Sequence, residues 1–84
     1  MPYKEFVIQY SLGSLSLDTL KQIACESKNK RILNILSKDK DNIIRRNVAY
    51  NKNTPKEILN ILSKDDDITV RIYVEITLIY LEKY

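Results

Sequence analysis

The sequence predicts an all-α fold in which about three helix pairs stack into a short solenoid. Composition favours helix, because 44% of the 84 residues are apolar and 30% are charged, while one glycine and two prolines leave little material for tight β-turns. An internal repeat predicts that the helix pairs stack. Residues 32–51 align with residues 58–77 at a shift of 26, with 11 identities in 20 positions. Periods in this range are typical of helical repeat arrays, where neighbouring units bury apolar faces that no unit covers alone.

The same shift carried back to Phe6 and Tyr10 aligns these residues with Ile32 and Leu36 and indicates a degenerate first copy. The repeat therefore divides one domain into units of about 3–29, 30–55 and 56–84.

In the first unit, helices are expected near Pro2–Ser11 and Leu17–Glu26, with Gly13 ending the first of them. The alternative prediction for residues 3–10 is a short β-strand. The lone Cys25 offers neither a disulfide nor a multi-thiolate metal site, and we expect it to be a small buried apolar residue.

In the second and third units, Ser-Lys-Asp ends each first helix, and Asp41 and Asp67 are positioned to cap second helices at Asn42–Tyr50 and at residues 68 to about 82. The first helices place four apolar residues on one face. In the two copies these are Ile32, Leu33, Ile35 and Leu36, and Ile58, Leu59, Ile61 and Leu62.

The start of the third unit resembles a capping box. Thr54 is the expected cap, Pro55 suits the first helical position, and Glu57 stands three residues after Thr54.

The motifs Asp41–Arg45 (DNIIR), Asp67–Arg71 (DITVR) and Asn51–Pro55 (NKNTP) resemble those of the leucine-rich repeat variant group, a relative of HEAT-like repeats. The resemblance covers about residues 30–84. It implies a right-handed superhelix whose second helices line a surface for protein contacts and, in some relatives, for the DNA backbone. Some members hold an iron–sulfur cluster on several cysteines, but this chain has one, so we expect no cofactor.

Catalytic motifs are missing from the sequence, which contains no histidine and no glycine-rich phosphate loop. Asp65, Asp66 and Asp67 lack the spacing of a calcium loop and are expected in an exposed turn. We therefore expect a non-enzyme. No segment resembles a signal peptide or a membrane span, so the expected location is the cytoplasm.

Arg45 and Arg71 each stand four residues after an aspartate. We expect each arginine to reach Asp41 or Asp67 at the start of its own helix, and stacked copies to form an Asp–Arg ladder between units. Arg46 aligns with Ile72 and so occupies a variable position.

Together with Lys21 and Asn47, Arg46 is a candidate for partner binding on the surface of the second helices, and simple solvation is the alternative for each residue.

The last helix has too many apolar residues for one neighbouring helix to cover. Tyr73, Tyr80 and Tyr84 fill one arc of it, and tyrosine is enriched at interfaces. A terminal unit normally turns a polar face to water, so this face predicts self-association or docking of a protein partner. The alternative is that the helix bends back and is buried by the first units.

The leading functional hypothesis is a non-catalytic protein-interaction module that binds a protein partner or forms a homo-oligomer. A second hypothesis is a nucleic-acid binder that contacts phosphates, and a third is a small inhibitor encoded by a mobile element. The net charge of +3, with acidic and basic residues interleaved, is a weak signal for nucleic acid. Its candidate residues are Lys21, Lys28, Lys30, Arg31, Arg46, Lys52 and Lys56.

Overall fold

The computed structural model describes residues 1–84 and contains six α-helices and no β-strand, which confirms the predicted all-α class. The alternative of a strand at residues 3–10 is wrong, because these residues are helical. None of the helices has the length and apolar character needed to cross a membrane. In chain order they are α1 Tyr3–Ser11, α2 Leu17–Glu26, α3 Lys30–Leu36, α4 Asn42–Tyr50, α5 Lys56–Leu62 and α6 Ile68–Lys83.

Helix α4 lies at the centre of the packing. Its most extensive contacts are with α2 and α6, and it also touches α3 and α5. We refer to α1–α2, α3–α4 and α5–α6 as the first, second and third pairs. Lys30 and Lys56 begin α3 and α5, and Asn42 and Ile68 begin α4 and α6, so both starts recur at the 26-residue spacing of the sequence repeat.

One apolar core connects all six helices. It is a cluster of 13 buried residues to which every helix contributes, so no pair has a separate core. An 84-residue chain needs one common core, because a small domain buries only a limited fraction of its surface on folding. The packing of each pair therefore depends on its neighbours.

Helix α1 ends as the sequence predicts, at Gly13. This glycine has a φ of 70°, in the left-handed region that side chains disfavour. The Gly13 N–H donates to the carbonyl oxygen of Tyr10 at 3.1 Å, and the Ser14 N–H donates to that of Gln9 at 3.0 Å. These two bonds are a Schellman motif, which satisfies carbonyls at the end of the helix.

Short polar side chains cap four helix starts. The expected caps Asp41 and Asp67 accept hydrogen bonds from backbone N–H groups of α4 and α6. Ser16 caps α2 and Asn29 caps α3 in the same way. Each cap satisfies N–H groups that have no partner within the helix.

The predicted capping box at α5 is wrong. Pro55, and not Thr54, is the residue before the helix, and no side chain caps it. The Thr54 hydroxyl is buried and donates to the carbonyl oxygen of Val48 at 2.7 Å. Thr54 therefore connects the linker to the end of α4, because a carbonyl there needs a donor.

Buried polar side chains connect each of two helix pairs to the end of the second helix of the pair before it. Asn51 Nδ2 donates to the carbonyl oxygens of Ala24 and Ser27, at 3.0 and 2.8 Å. Thr77, which lies 26 residues after Asn51 and within α6, donates from Oγ1 to the carbonyl oxygen of Ala49 at 2.6 Å. All three bonds satisfy carbonyls near a helix end and link one pair to the preceding pair.

Cys25 is exposed, so the expectation that it is buried is wrong. Its position corresponds to Asn51 and Thr77, whose side chains are buried against the preceding pair. Asn51 and Thr77 each bond to carbonyl oxygens of the pair before their own, and Cys25 in the first pair has no such contact.

Ile61 also differs from the predicted apolar face, because its side chain is 60% exposed while its neighbour Leu62 is buried. The equivalent residue of the second pair, Ile35, is partly buried against the core. Since the local sequence is the same, the difference arises from packing: α3 contacts α1, α2 and α4, whereas α5 contacts α4 and α6.

We expect Leu62→Ala to lower the free energy of unfolding by about 2–5 kcal/mol, because it removes a fully buried side chain and leaves a cavity. The matched control Ile61→Ala should change it by less than about 0.5 kcal/mol, since Ile61 is largely exposed. Urea unfolding followed by circular dichroism measures both. Equal effects of the two substitutions would contradict the helix register described above.

Candidate interaction surface

Helix α6 carries a continuous row of exposed isoleucines, which we call the open face of α6. The opposite side of the helix is buried through Val70, Val74 and Thr77. The exposed fractions along the row are 62%, 49%, 46% and 53% for Ile68, Ile72, Ile76 and Ile79. Four isoleucines on one helix side form an apolar patch rather than scattered surface residues.

The corresponding side of α4 contacts the third pair through polar and aromatic side chains, although Tyr50 remains 55% exposed. Arg46 and Tyr50 lie 26 positions before two isoleucines of the open face. Arg46 pairs with Asp67 at the start of α6, and the ring centre of Tyr50 lies 5.2 Å from that of Tyr73. The open face of α6 therefore corresponds to the side through which α4 contacts the next pair.

Arg45 joins the second pair to the turn between α5 and α6. Its Nε and Nη2 donate to the two carboxylate oxygens of Asp65 at 2.8 and 3.2 Å. Nη1 donates to the carbonyl oxygen of Asp39 at 2.8 Å, and Nη2 also lies 3.3 Å from a carboxylate oxygen of Asp66. The side chains of Arg45 and Asp65 are only 14% and 9% exposed. Such a bidentate, sheltered pair has a defined geometry.

The Arg45–Asp65 pair is ionised in the folded chain. Burial on its own would raise the pKa of Asp65, but the hydrogen bonds from Arg45 and from the Asp67 backbone N–H outweigh it and lower this pKa. The hydrogen bond to Asp65 likewise raises the pKa of Arg45.

Arg46 makes a second bidentate pair across the same junction. Its Nε and Nη2 donate to the carboxylate of Asp67 at 2.8 and 3.2 Å, and this carboxylate also accepts the Val70 N–H. The hydrogen bond from Arg46 lowers the pKa of Asp67, and the bond from Val70 contributes in the same direction. The structure thus places Arg46, a candidate for partner binding, in a contact within the chain.

The ladder of arginines and aspartates has different members from those expected. Arg45 reaches Asp65 and not Asp41, and Arg71 Nη1 donates to the Asp65 carbonyl oxygen at 2.6 Å and not to Asp67. Asp41 and Asp67 use their carboxylates to cap their own helices. Arg45 and Arg71 therefore each contact the inter-helix turn that precedes their own helix, and Arg45 also contacts the inter-helix turn of the next pair.

Arg71 repeats only half of the contacts of Arg45. Each arginine donates Nη1 to the carbonyl oxygen six residues earlier, at Asp65 or Asp39. Arg45 also binds carboxylates, whereas Arg71 forms no ion pair with any carboxylate of the chain. Beside the open face, Arg71 therefore has guanidinium donors without a protein acceptor.

The predicted tyrosines lie along one border of the open face. Tyr73 is half-buried against Tyr50, whereas Tyr80 and Tyr84 are exposed and their ring centres are 5.0 Å apart. Lys52 Nζ lies 5.7 Å from the centre of the Tyr80 ring. A cavity of about 300 Å³ opens at this border, lined by Cys25, Tyr50, Lys52, Ile76, Thr77 and Tyr80.

Lys21 and Asn47, the other two candidates, lie on α2 and α4. Lys21 Nζ is 3.6 Å from an oxygen of Asp18, and Asn47 Nδ2 donates to the Ile43 carbonyl oxygen of its own helix. Neither side chain is connected to α6 by a hydrogen bond or an ion pair.

Sequence reasoning placed the C-terminal surface on tyrosines, whereas four isoleucines occupy its centre. Ile68 and the free donors of Arg71 were missed. The signal was present in the repeat alignment, where Asn42, Arg46 and Tyr50 of α4 correspond to three isoleucines of α6.

No protein-family model, curated protein or solved structure matches the chain. The resemblance to the leucine-rich repeat variant group therefore rests on the three motifs alone.

We expect the melting temperature to be constant near neutral pH and to fall as the pH drops below about 4. The folded-state pKa values of Asp65 and Asp67 are lowered, so the unfolded chain takes up protons first and acid favours unfolding. Differential scanning calorimetry between pH 7 and pH 2 measures this dependence.

In the same experiment, the Asp65→Asn variant should have a lower melting temperature than the wild type at pH 7. Its melting temperature should also fall by less between pH 7 and pH 2. The control Asp18→Asn should keep the wild-type profile, because Asp18 is an exposed partner of Lys21. Parallel profiles for wild type and Asp65→Asn would show that this aspartate is not a source of the pH dependence.

Proposed function

We propose that this chain is a non-catalytic protein-interaction module that binds its partner through the open face of α6. The observation that carries the proposal is the match between this face and the side of α4 that packs on the next pair. A surface that corresponds in position to an internal contact, but carries isoleucines exposed to water, is suited to a further protein surface.

We also propose that the three pairs form a short right-handed solenoid with a period of 26 residues. The recurrence of the starts of α3 and α5, and of α4 and α6, supports the period. The serial contacts of α2 with α4 and of α4 with α6 support the stacking. In such an array each pair covers one side of the pair before it, so the open face of α6 is the side that a further surface would cover.

The magnitude of apolar burial indicates what the partner must contact. Completing the burial of four half-exposed isoleucines would contribute about 3–6 kcal/mol, since full burial of one such side chain is worth about 1.5–3 kcal/mol. Association costs about 4–15 kcal/mol in lost freedom of motion. The isoleucines offset only the low end of this cost, so we expect a partner also to use the flanks of the row, where Arg71 and Tyr80 lie.

The ionisable groups with shifted pKa values do not support catalysis. Asp65, Asp67, Arg45 and Arg46 are engaged in the two ion pairs that join the second and third pairs, and the fifth such group, Tyr10, is bonded to Asp39. Their pKa shifts follow from these structural contacts, and such networks perturb pKa values without any catalytic role.

The alternative of phosphate binding is favoured by no specific observation. Several of its candidate side chains have partners within the chain: Lys21 lies near Asp18, Arg46 binds Asp67, Arg31 stacks 4.0 Å from the Tyr3 ring centre, and Lys52 lies over Tyr80.

Site-specific photo-crosslinking in cells tests the proposed surface. We expect benzoylphenylalanine introduced at Ile72 or at Ile79 to give discrete protein adducts on irradiation, because both positions lie at the centre of the open face. Gel electrophoresis and mass spectrometry would detect the adducts and identify the protein in each of them.

Ile8 provides the matched control, since it is an isoleucine of α1 with 61% exposure and lies outside the open face. The photo-crosslinking residue at position 8 should give no discrete adduct. Adducts that are absent from positions 72 and 79, or equal from position 8, would show that the open face is not the interaction surface.

A further inference from the structure

We infer that a second copy of this chain covers the open face of α6, so that two α6 helices pack antiparallel about a twofold axis at the level of residues 73–74. The inference rests on the proposed function, because it names the partner of the same face. Three features support it: the sequence of the turn between α1 and α2, the arrangement of the isoleucines on α6 and the charges beside these isoleucines.

A head-to-tail stack of copies would leave Arg71 without a carboxylate. Within the chain, Arg45 finds its carboxylate at Asp65, in the turn of the next pair. The corresponding turn of the first pair is residues 13–15, Gly-Ser-Leu, which has no acidic side chain. The first pair of another copy therefore cannot repeat the Arg45–Asp65 contact at Arg71, and an α6–α6 contact is the better match.

The isoleucine row is suited to contact with itself. The residues are spaced by four, four and three positions, which keeps them on one side of the helix. Helix α6 has 16 residues and a length of about 24 Å, so the row extends over most of it. A twofold axis brings the same patch of both copies together. The apolar row of one copy then contacts the apolar row of the second copy.

The charges beside the row are complementary across such an axis. Arg71 and Glu75 are four residues apart and flank the isoleucines on the same side of the helix. In an antiparallel pair related by a twofold axis, equal flanks of the two helices lie side by side. Arg71 of one copy then lies opposite Glu75 of the second copy, and the contact occurs twice. Within the chain neither residue forms an ion pair.

The small size of the contact indicates a reversible dimer rather than a permanent one. One helix side is smaller than the ~800 Å² per partner of a standard protein interface. We therefore expect a reversible dimer with a dissociation constant of about 1–100 μM, which breaks up on dilution.

Sedimentation equilibrium of the purified full chain over a dilution series tests the inference. The mass should rise from that of the 9.9 kDa monomer to about twice this value. Glu75→Arg should weaken the dimer at least about tenfold, because it places two arginines opposite each other at both contacts. Arg71→Glu should do the same with two glutamates. An equimolar mixture of these variants, or the double variant, should restore the dimer.

Two further variants separate this effect from folding or general charge. Glu57→Arg makes the same charge change on α5 and should leave the dimer unchanged. Because Arg71 also donates to Asp65 in its own chain, Ile72→Glu is a second disrupting variant that keeps this bond. Circular dichroism must show the same helix content for every variant compared.

A wild-type mass that stays monomeric up to about 1 mM would overturn the inference. A dimer that is insensitive to both Ile72→Glu and Glu75→Arg would also overturn it, since the contact would then lie elsewhere. If the chain is monomeric but position 72 crosslinks to a different protein, the proposed function stands and only the identity of the partner is wrong.

Discussion

The sheltered ion pair between Arg45 and Asp65 determines how the second and third helix pairs meet. Asp65 lies in the turn between α5 and α6, so binding its carboxylate in a bidentate manner orients the end of one helix and the start of the next. The desolvation of two such charges offsets much of their attraction, and the pair therefore contributes more to a unique arrangement than to net stability. The buried side of α6 then packs on α4, with the Thr77 hydroxyl bound to the Ala49 carbonyl oxygen, and the open face is directed outward as a consequence.

The carboxylate of this turn is the constant element of both junctions, while its donor differs. At the first junction the equivalent residue is Asp39, and its carboxylate accepts a hydrogen bond from the Tyr10 hydroxyl of α1. Burial, and then the bond to Asp39 and its negative charge, raise the pKa of Tyr10 to about 12, so the phenol remains a neutral donor at physiological pH. The second pair thus keeps the carboxylate acceptor, and α1 of the first pair supplies the donor Tyr10.

Local features could be predicted from the sequence because their causes lie within a few residues. The end of α1 at Gly13 and the caps Asp41 and Asp67 depend only on backbone groups of the adjacent turn. The partner of Arg45 and the exposure of Ile61 and Cys25 depend instead on which pair lies beside them. Ile35 and Ile61 have the same local sequence and different exposure, so no local pattern distinguishes them. Residue type directed the prediction to the tyrosines of α6, because tyrosine is common at interfaces, whereas the exposure of its isoleucines depends on which side of α6 packs on α4.

The polarity of the last helix argues that its outer side is not adapted to water. On α4, Arg46 carries a charge at a position where the carboxylate of Asp67 binds it. On α6 the same position is Ile72, and the positions of Asn42 and Tyr50 are also isoleucines. A side exposed only to solvent would be served by polar residues such as those that α4 carries at these positions. The differences between α4 and α6 run in the opposite direction, from polar or aromatic to aliphatic, and Arg71 keeps guanidinium donors without a carboxylate partner. These differences support the proposal that this surface forms a protein contact of the same kind as the junctions within the chain.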